Sequence, residues 1–154
     1  MSDWFETLDD SLWLRPDAGG QEEADFISRC LRLRSGQSVL DAPCGAGRVA
    51  LPLAKQGLRV VGIDLRRRFV SRGRRRFRRV GLPGDLLEMD LRRIAFVNQF
   101  HGVFNWFNSF GYFDDEENAD LIHRYARALR PGGRLLIDQV NRERILRDFR
   151  PEAV

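Results

Sequence analysis

The sequence predicts an α/β fold with a doubly wound, mostly parallel sheet. Three observations lead to it. Short apolar runs with strand character alternate with helix-like segments along most of the chain. Three of those runs end on an aspartate, at Asp41, Asp64 and Asp90. A glycine loop, Gly45-Ala46-Gly47, closely follows the first run, where sheets of this class bind their ligands.

Each element follows from its own pattern. Residues 21–34 place Phe26, Ile27, Cys30 and Leu31 at helical spacing, and Ser35-Gly36 breaks them off. Residues 38–42 read as a first strand, 48–56 as a helix stopped by Gly57, and 58–65 as a second strand. The segment 66–79 is helical, with Phe69, Val70, Gly73, Phe77 and Val80 on one arc and arginines on the other. A third strand covers 85–89 and a fourth 100–107. The next helix carries Leu121, Ile122, Tyr125, Ala126 and Leu129 on one face, with Asp114 or Asp115 as its N-cap. Pro131-Gly132-Gly133 stops it, 134–140 is the fifth strand, and the residues from Asn141 onward begin a last helix.

Bulk properties exclude several classes. A chain of 154 residues is one domain by length. Its 43% hydrophobic and 31% charged residues describe a folding chain, not a disordered one. No apolar run approaches the roughly 20 residues that cross a bilayer, and the acidic N-terminus is no secretory leader. A cytoplasmic location and no membrane association are therefore expected. Cys30 and Cys44 form no paired motif, and His101 and His123 stand alone, so no metal site is expected. Cys44 reads as a small loop residue, His101 as a strand-edge residue and His123 as solvated. The net charge is +4, yet residues 66–79 alone hold nine arginines, so the remainder of the chain is acidic overall. That helix is a candidate surface for an acidic or nucleic-acid partner. Its two phenylalanines fall on the buried arc, which leaves no stacking platform and favours a solvated face.

The glycine loop fits two cofactors. Gly45-x-Gly47-x-x-Ala50 with Asp64 satisfies a dinucleotide fingerprint. Asp41, however, would repel a pyrophosphate and attract an ammonium group. Three strand-end acids suit a cationic adenosyl ligand better than an anionic one.

The stretch VLDAPCGAGRVALPLAKQGLRVVGIDL resembles motifs I and II of the class I S-adenosylmethionine-dependent methyltransferases. GDLLEMDL, FHGVFNWFNSFGYF and HRYARALRPGGRLLIDQVN resemble the motifs that follow, so the likeness covers about residues 36–142. It implies the Rossmann-like methyltransferase fold with strand order 3-2-1-4-5 and S-adenosyl-L-methionine as cofactor. Asp41 and the Gly45–Gly47 backbone would hold the methionine end, Asp64 the ribose with Leu65 packed nearby, and Asp90 with the Leu91 backbone the adenine. Asn105 would line the methionine side, and Phe107, Asn108 and Tyr112 would lie toward an acceptor. Residues 1–20 resemble a lid, with Trp13 or Leu14 over the site, and 21–154 form the cofactor-binding domain. Two departures stand out. Arg66 replaces a serine common after motif II, which is expected to reshape the ribose pocket. The sequence stops about fourteen residues after strand five, before the final antiparallel strands expected of the family, so either it is a fragment of a longer chain or strand five is left as an open edge for self-association.

The function implied is methyl transfer to an unidentified acceptor, a small molecule in preference to RNA, with no assignable catalytic residue. The rivals are a non-catalytic cofactor-binding module, a basic RNA-binding protein on the same scaffold, and a nicotinamide-dependent oxidoreductase, the last disfavoured by Asp41.

Overall fold

Strand formation at the sheet centre follows from period-two burial. In β1 (Ser38–Asp41), Val39 faces one side and Leu40 the other, and both are fully buried. The computed structural model describes residues 20–149. Around β1 lie β2 (Arg59–Asp64), β3 (Asp85–Glu88), β4 (Phe100–Asn105) and β5 (Leu129–Ile137), in the order β3-β2-β1-β4-β5. Every neighbouring pair is parallel. The expected fold class and strand order are therefore what the chain adopts, with β3 and β5 as edges among the described residues.

Two cores cover the two faces. Helices α1 (Gly20–Leu31), α2 (Ala50–Lys55) and α3 (Arg67–Arg79) lie over one, where Ile27, Leu53, Val70 and Phe77 pack on Val39, Val60 and Phe104. On the other, α4 (Asp115–Ala128) and the 3-10 turn Leu91–Arg93 bring Leu121, Tyr125 and Ile94 onto Leu40, Ile63 and Val103. A short α5 (Arg142–Asp148) is capped by the Asn141 side chain and buries nothing. No helix of the described residues is long and apolar enough to cross a membrane.

Several element details differ from expectation, each for a local reason. Helix α1 ends at Leu31 because Arg32 turns left-handed (φ 53) and the Leu33 N–H returns to the Ser28 carbonyl. Its buried stripe is Ala24, Ile27 and Leu31, while Phe26 and Cys30 are exposed. Phe26 instead meets the Trp106 ring at 5.9 Å. Val80 leaves the α3 arc because the helix stops at Arg79. In α4 the buried positions are Leu121, Tyr125 and Ala128, and Asp114 caps it by accepting from the Glu117 N–H at 2.8 Å. Leu129 already pairs with Phe100, so Pro131-Gly132-Gly133 bulges within β5 rather than preceding it. Strand β4 stops at Asn105, since Phe107 and Asn108 both take positive φ (64 and 54).

The arginine helix is partly structural. Arg74 Nε donates to the Leu86 carbonyl at 2.7 Å and Arg76 Nη1 to the Ala46 carbonyl at 3.2 Å. The helix thereby clamps β3 and the glycine loop. Phe69 and Phe77 are buried, as the arc predicts.

Close approach of α3 to that loop depends on Gly73. A β-carbon there would collide with Leu86 and lie 3.2 Å from the Ala46 carbonyl. Gly73→Val is accordingly expected to cost about 2–3 kcal/mol, read as a lower urea midpoint at unchanged slope. An unaltered midpoint would refute this packing account.

Candidate functional site

The loop between β1 and α2 is built at the carboxyl end of the sheet. The chain leaves β1 at Asp41, passes a cis Ala42–Pro43 bond, and turns through Cys44, Gly45 and Gly47. The Ala42 N–H donates to the Phe104 carbonyl, and the Cys44 N–H to the Ile63 carbonyl, so both neighbouring strands hold the loop. Gly45 and Gly47 take φ 52 and 73, which disfavours a side chain at either position. Among the described residues, apart from its chain neighbours, no atom lies within 4 Å of where a Gly45 β-carbon would stand, so the loop is open there.

Asp64 braces this loop. Its Oδ2 accepts from the Gly45 N–H and its Oδ1 from the Arg66 N–H, both at 2.8 Å. Burial pushes its pKa up, opposed by those two hydrogen bonds and the Arg66 charge. A carboxylate has about four acceptor sites, so two remain for a ligand's hydroxyls. The Arg66 side chain is buried, with its guanidinium 5.4 Å from the Phe69 ring centre. Its backbone N–H, which needs no serine, supplies the donor to Asp64.

Asp41 is different. It is 2% exposed, and its carboxylate accepts no hydrogen bond from a described residue. Burial first, then the charge of Asp64, raise its pKa well above the usual carboxylate range, while Arg48 opposes them. Arg48 is itself ion-paired to Glu23 of α1. This link from α1 to the site was not read from the sequence, although Arg48 closes the loop motif.

At the end of β4, Asn105 is fully buried. Its Nδ2 donates to the Tyr125 hydroxyl at 3.1 Å and the Ser109 carbonyl at 3.3 Å, leaving Oδ1 without a partner. Tyr125 donates in turn to the Ala42 carbonyl at 2.9 Å, tying α4 to the loop. Its hydroxyl pKa is raised by burial. Sequence periodicity marked Tyr125 only as a core position. The turn at Phe107–Asn108 is held by Asp138, whose Oδ2 accepts from the Phe107 N–H at 3.0 Å and whose carbonyl accepts from Asn108. Two successive left-handed non-glycine residues cost on the order of 1–3 kcal/mol each. Such strain collects where a site has to be shaped. Asn108 Oδ1 is buried without a partner as well. Tyr112 is half-buried, and burial first, then the charge of Asp64, raise its pKa while Ser109 opposes them.

Asp41, Gly45, Gly47, Asp64, Asn105, Phe107, Asn108 and Tyr112 thus gather around the ends of β1, β2 and β4. Asp90 and Leu91 lie at the end of β3, but Asp90 is already engaged. Both its oxygens accept from Arg92, the shortest bond being 2.6 Å, and Oδ1 also caps the 3-10 turn. Those bonds hold its pKa below the usual range. The Leu91 side chain is buried, and Leu65 is 46% exposed. Trp13, Leu14 and the remaining lid residues up to 19 lie outside the described residues.

Comparison with known proteins identifies the class that this site defines. Residues 39–133 match the family described as "Methyltransferase domain", and the chain belongs to it, as a class I S-adenosylmethionine-dependent methyltransferase domain. Among its relatives is the S-adenosyl-L-methionine-dependent Diels-Alderase iccD of Talaromyces variabilis, 36% identical over 73% of this chain and 39% of that protein. The cypemycin N-terminal methyltransferase of a Streptomyces species is 33% identical over 67% of this chain and 42% of that protein. The crystal structure of the [4+2]-cyclase SpnF superposes with a TM-score of 0.68 at 25% identity, over 75% of this chain and 43% of that one. The chain spans about half or less of the length of the curated relatives it matches. S-adenosylmethionine is the cofactor of the family. The described residues suit it: among them Asp41 is a buried carboxylate without a hydrogen-bond donor, no side chain covers Gly45, and Asp64 keeps spare acceptor sites.

Folding raises the Asp41 pKa, so its contribution to stability is present while it is protonated and is lost as pH rises through the raised value. Ionised Asp41 therefore opposes folding near neutral pH. Asp41→Asn is expected to raise the melting temperature there, and the gain should shrink as pH falls below the raised pKa. Melting curves across that range check it. A gain independent of pH would contradict an unpaired, ionisable Asp41.

Proposed function

We propose that this domain binds S-adenosylmethionine at the ends of β1, β2 and β4 and transfers its methyl group to a small-molecule acceptor. The observation that carries this reading is the buried Asp41 carboxylate, which has no hydrogen-bond donor among the described residues and lies beside a loop open at Gly45. When bound, the cofactor supplies an electrophilic methyl group on a sulfonium. Asp41 would hold the ammonium of the methionine end, and the Gly45–Gly47 backbone would line it. Asp64 would accept from the ribose hydroxyls with its remaining lone pairs. Asn105, aimed by Tyr125, would add an uncharged acceptor through Oδ1. For Asp90 to reach the adenine it would have to share a carboxylate already forked by Arg92. Phe107, Asn108 and Tyr112 form the acceptor side, where the domain's contribution would be alignment of the reacting groups. No general base is assigned among the described residues, which suits an acceptor that arrives as a neutral nucleophile.

One observation favours a second reading. Similarity to iccD and SpnF supports a cyclase that keeps the cofactor bound and unconsumed while an apolar substrate folds against Phe107 and Tyr112. The sequence-based alternatives of a non-catalytic cofactor-binding module and an RNA-binding protein fall behind both. Arg74 and Arg76, on the basic helix, are anchored to backbone carbonyls.

Calorimetric titration with S-adenosylhomocysteine is expected to give roughly micromolar binding that Asp64→Ala abolishes, with folding checked by circular dichroism. Incubation with methyl-labelled cofactor and a small-molecule extract then separates the readings. Labelled product with stoichiometric S-adenosylhomocysteine supports methyl transfer, whereas bound, unconsumed cofactor supports the cyclase. A folded chain that binds neither cofactor form would overturn both.

A further inference from the structure

A second concavity lies at the opposite end of the sheet, at the amino ends of β1, β4 and β5 and the carboxyl end of α1. It is a cleft of about 500 Å³, within the usual range for small-ligand sites. Its polar lining comprises Arg32, Arg130, Arg134, His101, Gln37 and Asn98, with no carboxylate. None of the three arginines is ion-paired to a described residue. A half charge at the carboxyl end of α1 needs at most one of them.

Two of these exposed cations are anchored to backbone carbonyls. Arg130 Nε donates to the Gln99 carbonyl at 3.2 Å, and Arg134 Nη1 to the Leu31 carbonyl at 3.5 Å. Neutral carbonyls anchor the guanidiniums without cancelling their charge, and leave most of their N–H groups for a ligand. His101 is oriented too. Ser38 meets His101 Nδ1 with its hydroxyl oxygen at 3.0 Å and with its backbone N–H at 3.2 Å, while the same hydroxyl donates to the Gln99 carbonyl at 2.7 Å, so the ring is held in place. Burial, then the charges of Arg130 and Arg59, lower the His101 pKa, which reports the positive field of the cleft. Two non-glycine lining residues, Arg32 and Asn98, are also held at positive φ, 53 and 49.

We propose that this cleft is a binding site for a phosphorylated small molecule carrying at least two adjacent phosphates, recognised by Arg32, Arg130 and Arg134 together with the His101 imidazole. Three guanidiniums lining one cleft match a pyrophosphate group, which offers several acceptor oxygens and more than one negative charge. The site is separate from that of S-adenosylmethionine and does not rest on it.

Inorganic pyrophosphate is the probe. Titrated into the full chain at low salt, it is expected to bind at one saturable site. Arg130→Gln/Arg134→Gln is expected to weaken that binding by about tenfold to a hundredfold. Arg75→Gln/Arg78→Gln, on the exposed face of α3, should leave it unchanged. No saturable binding, an unweakened cleft variant, or an equal loss in the α3 variant would each overturn the proposal. Should the cleft variant fail to fold, the wild-type chain still decides it. The His101 ring resonances should shift on saturation with pyrophosphate, and unmoved resonances would refute the site.

Discussion

Two carboxylates, Asp41 and Asp64, lie buried at the ends of neighbouring strands, and among the described residues only Asp64 has hydrogen-bond donors. Their charges interact unfavourably, and burial penalises both. A chain selected for stability alone would not keep this arrangement, since an unpaired buried carboxylate opposes folding near neutral pH. Much of the surrounding structure holds it in place. Asp64 fixes the glycine loop, β2 and β4 grip the loop backbone, and Tyr125 ties the same loop to α4. The site is thus rigid in its frame and, among the described residues, deficient in a hydrogen-bond donor for Asp41. A ligand carrying an ammonium group would meet that deficiency.

The two ends of the sheet differ in electrostatic character. At the carboxyl end, the buried carboxylates of Asp41 and Asp64 lie at the glycine loop together with Arg48, Arg66 and Arg76. At the amino end, three guanidiniums with no ion-pair partner among the described residues line a cleft whose lining holds no acid. Charge on the domain is therefore sorted by position, as well as concentrated on α3. Within α3 the charge has a structural side, because Arg74 and Arg76 secure β3 and the loop.

Alternation of apolar runs and helical stripes made the sheet and its crossovers legible in the sequence, because burial on two faces imposes that pattern. Asp41, Gly45 and Asp64 were legible for the same reason: they follow strand ends directly. What stayed hidden depends on contacts between distant segments. Tyr125 reaches the Ala42 carbonyl across 83 positions, and Asp138 holds Phe107 across 31. Neither leaves a local signal. Arg48 lies in plain view, but its partner Glu23 belongs to α1, where the helical spacing of Phe26, Ile27, Cys30 and Leu31 does not tell which of them face the core. The large Phe26 ring meets Trp106 instead, and the small Ala24 takes the buried position.

The central claim is that Asp41 is a carboxylate waiting for a cation. Its ionisation is measured most directly by following the Asp41 carboxyl carbon resonance against pH, with and without S-adenosylhomocysteine, whose amino group stands for that of the cofactor. The account predicts a pKa above the usual carboxylate value of about 4 in the free chain, falling markedly when the ligand is bound. A pKa already normal in the free chain, or one that the bound ligand leaves unmoved, would contradict it.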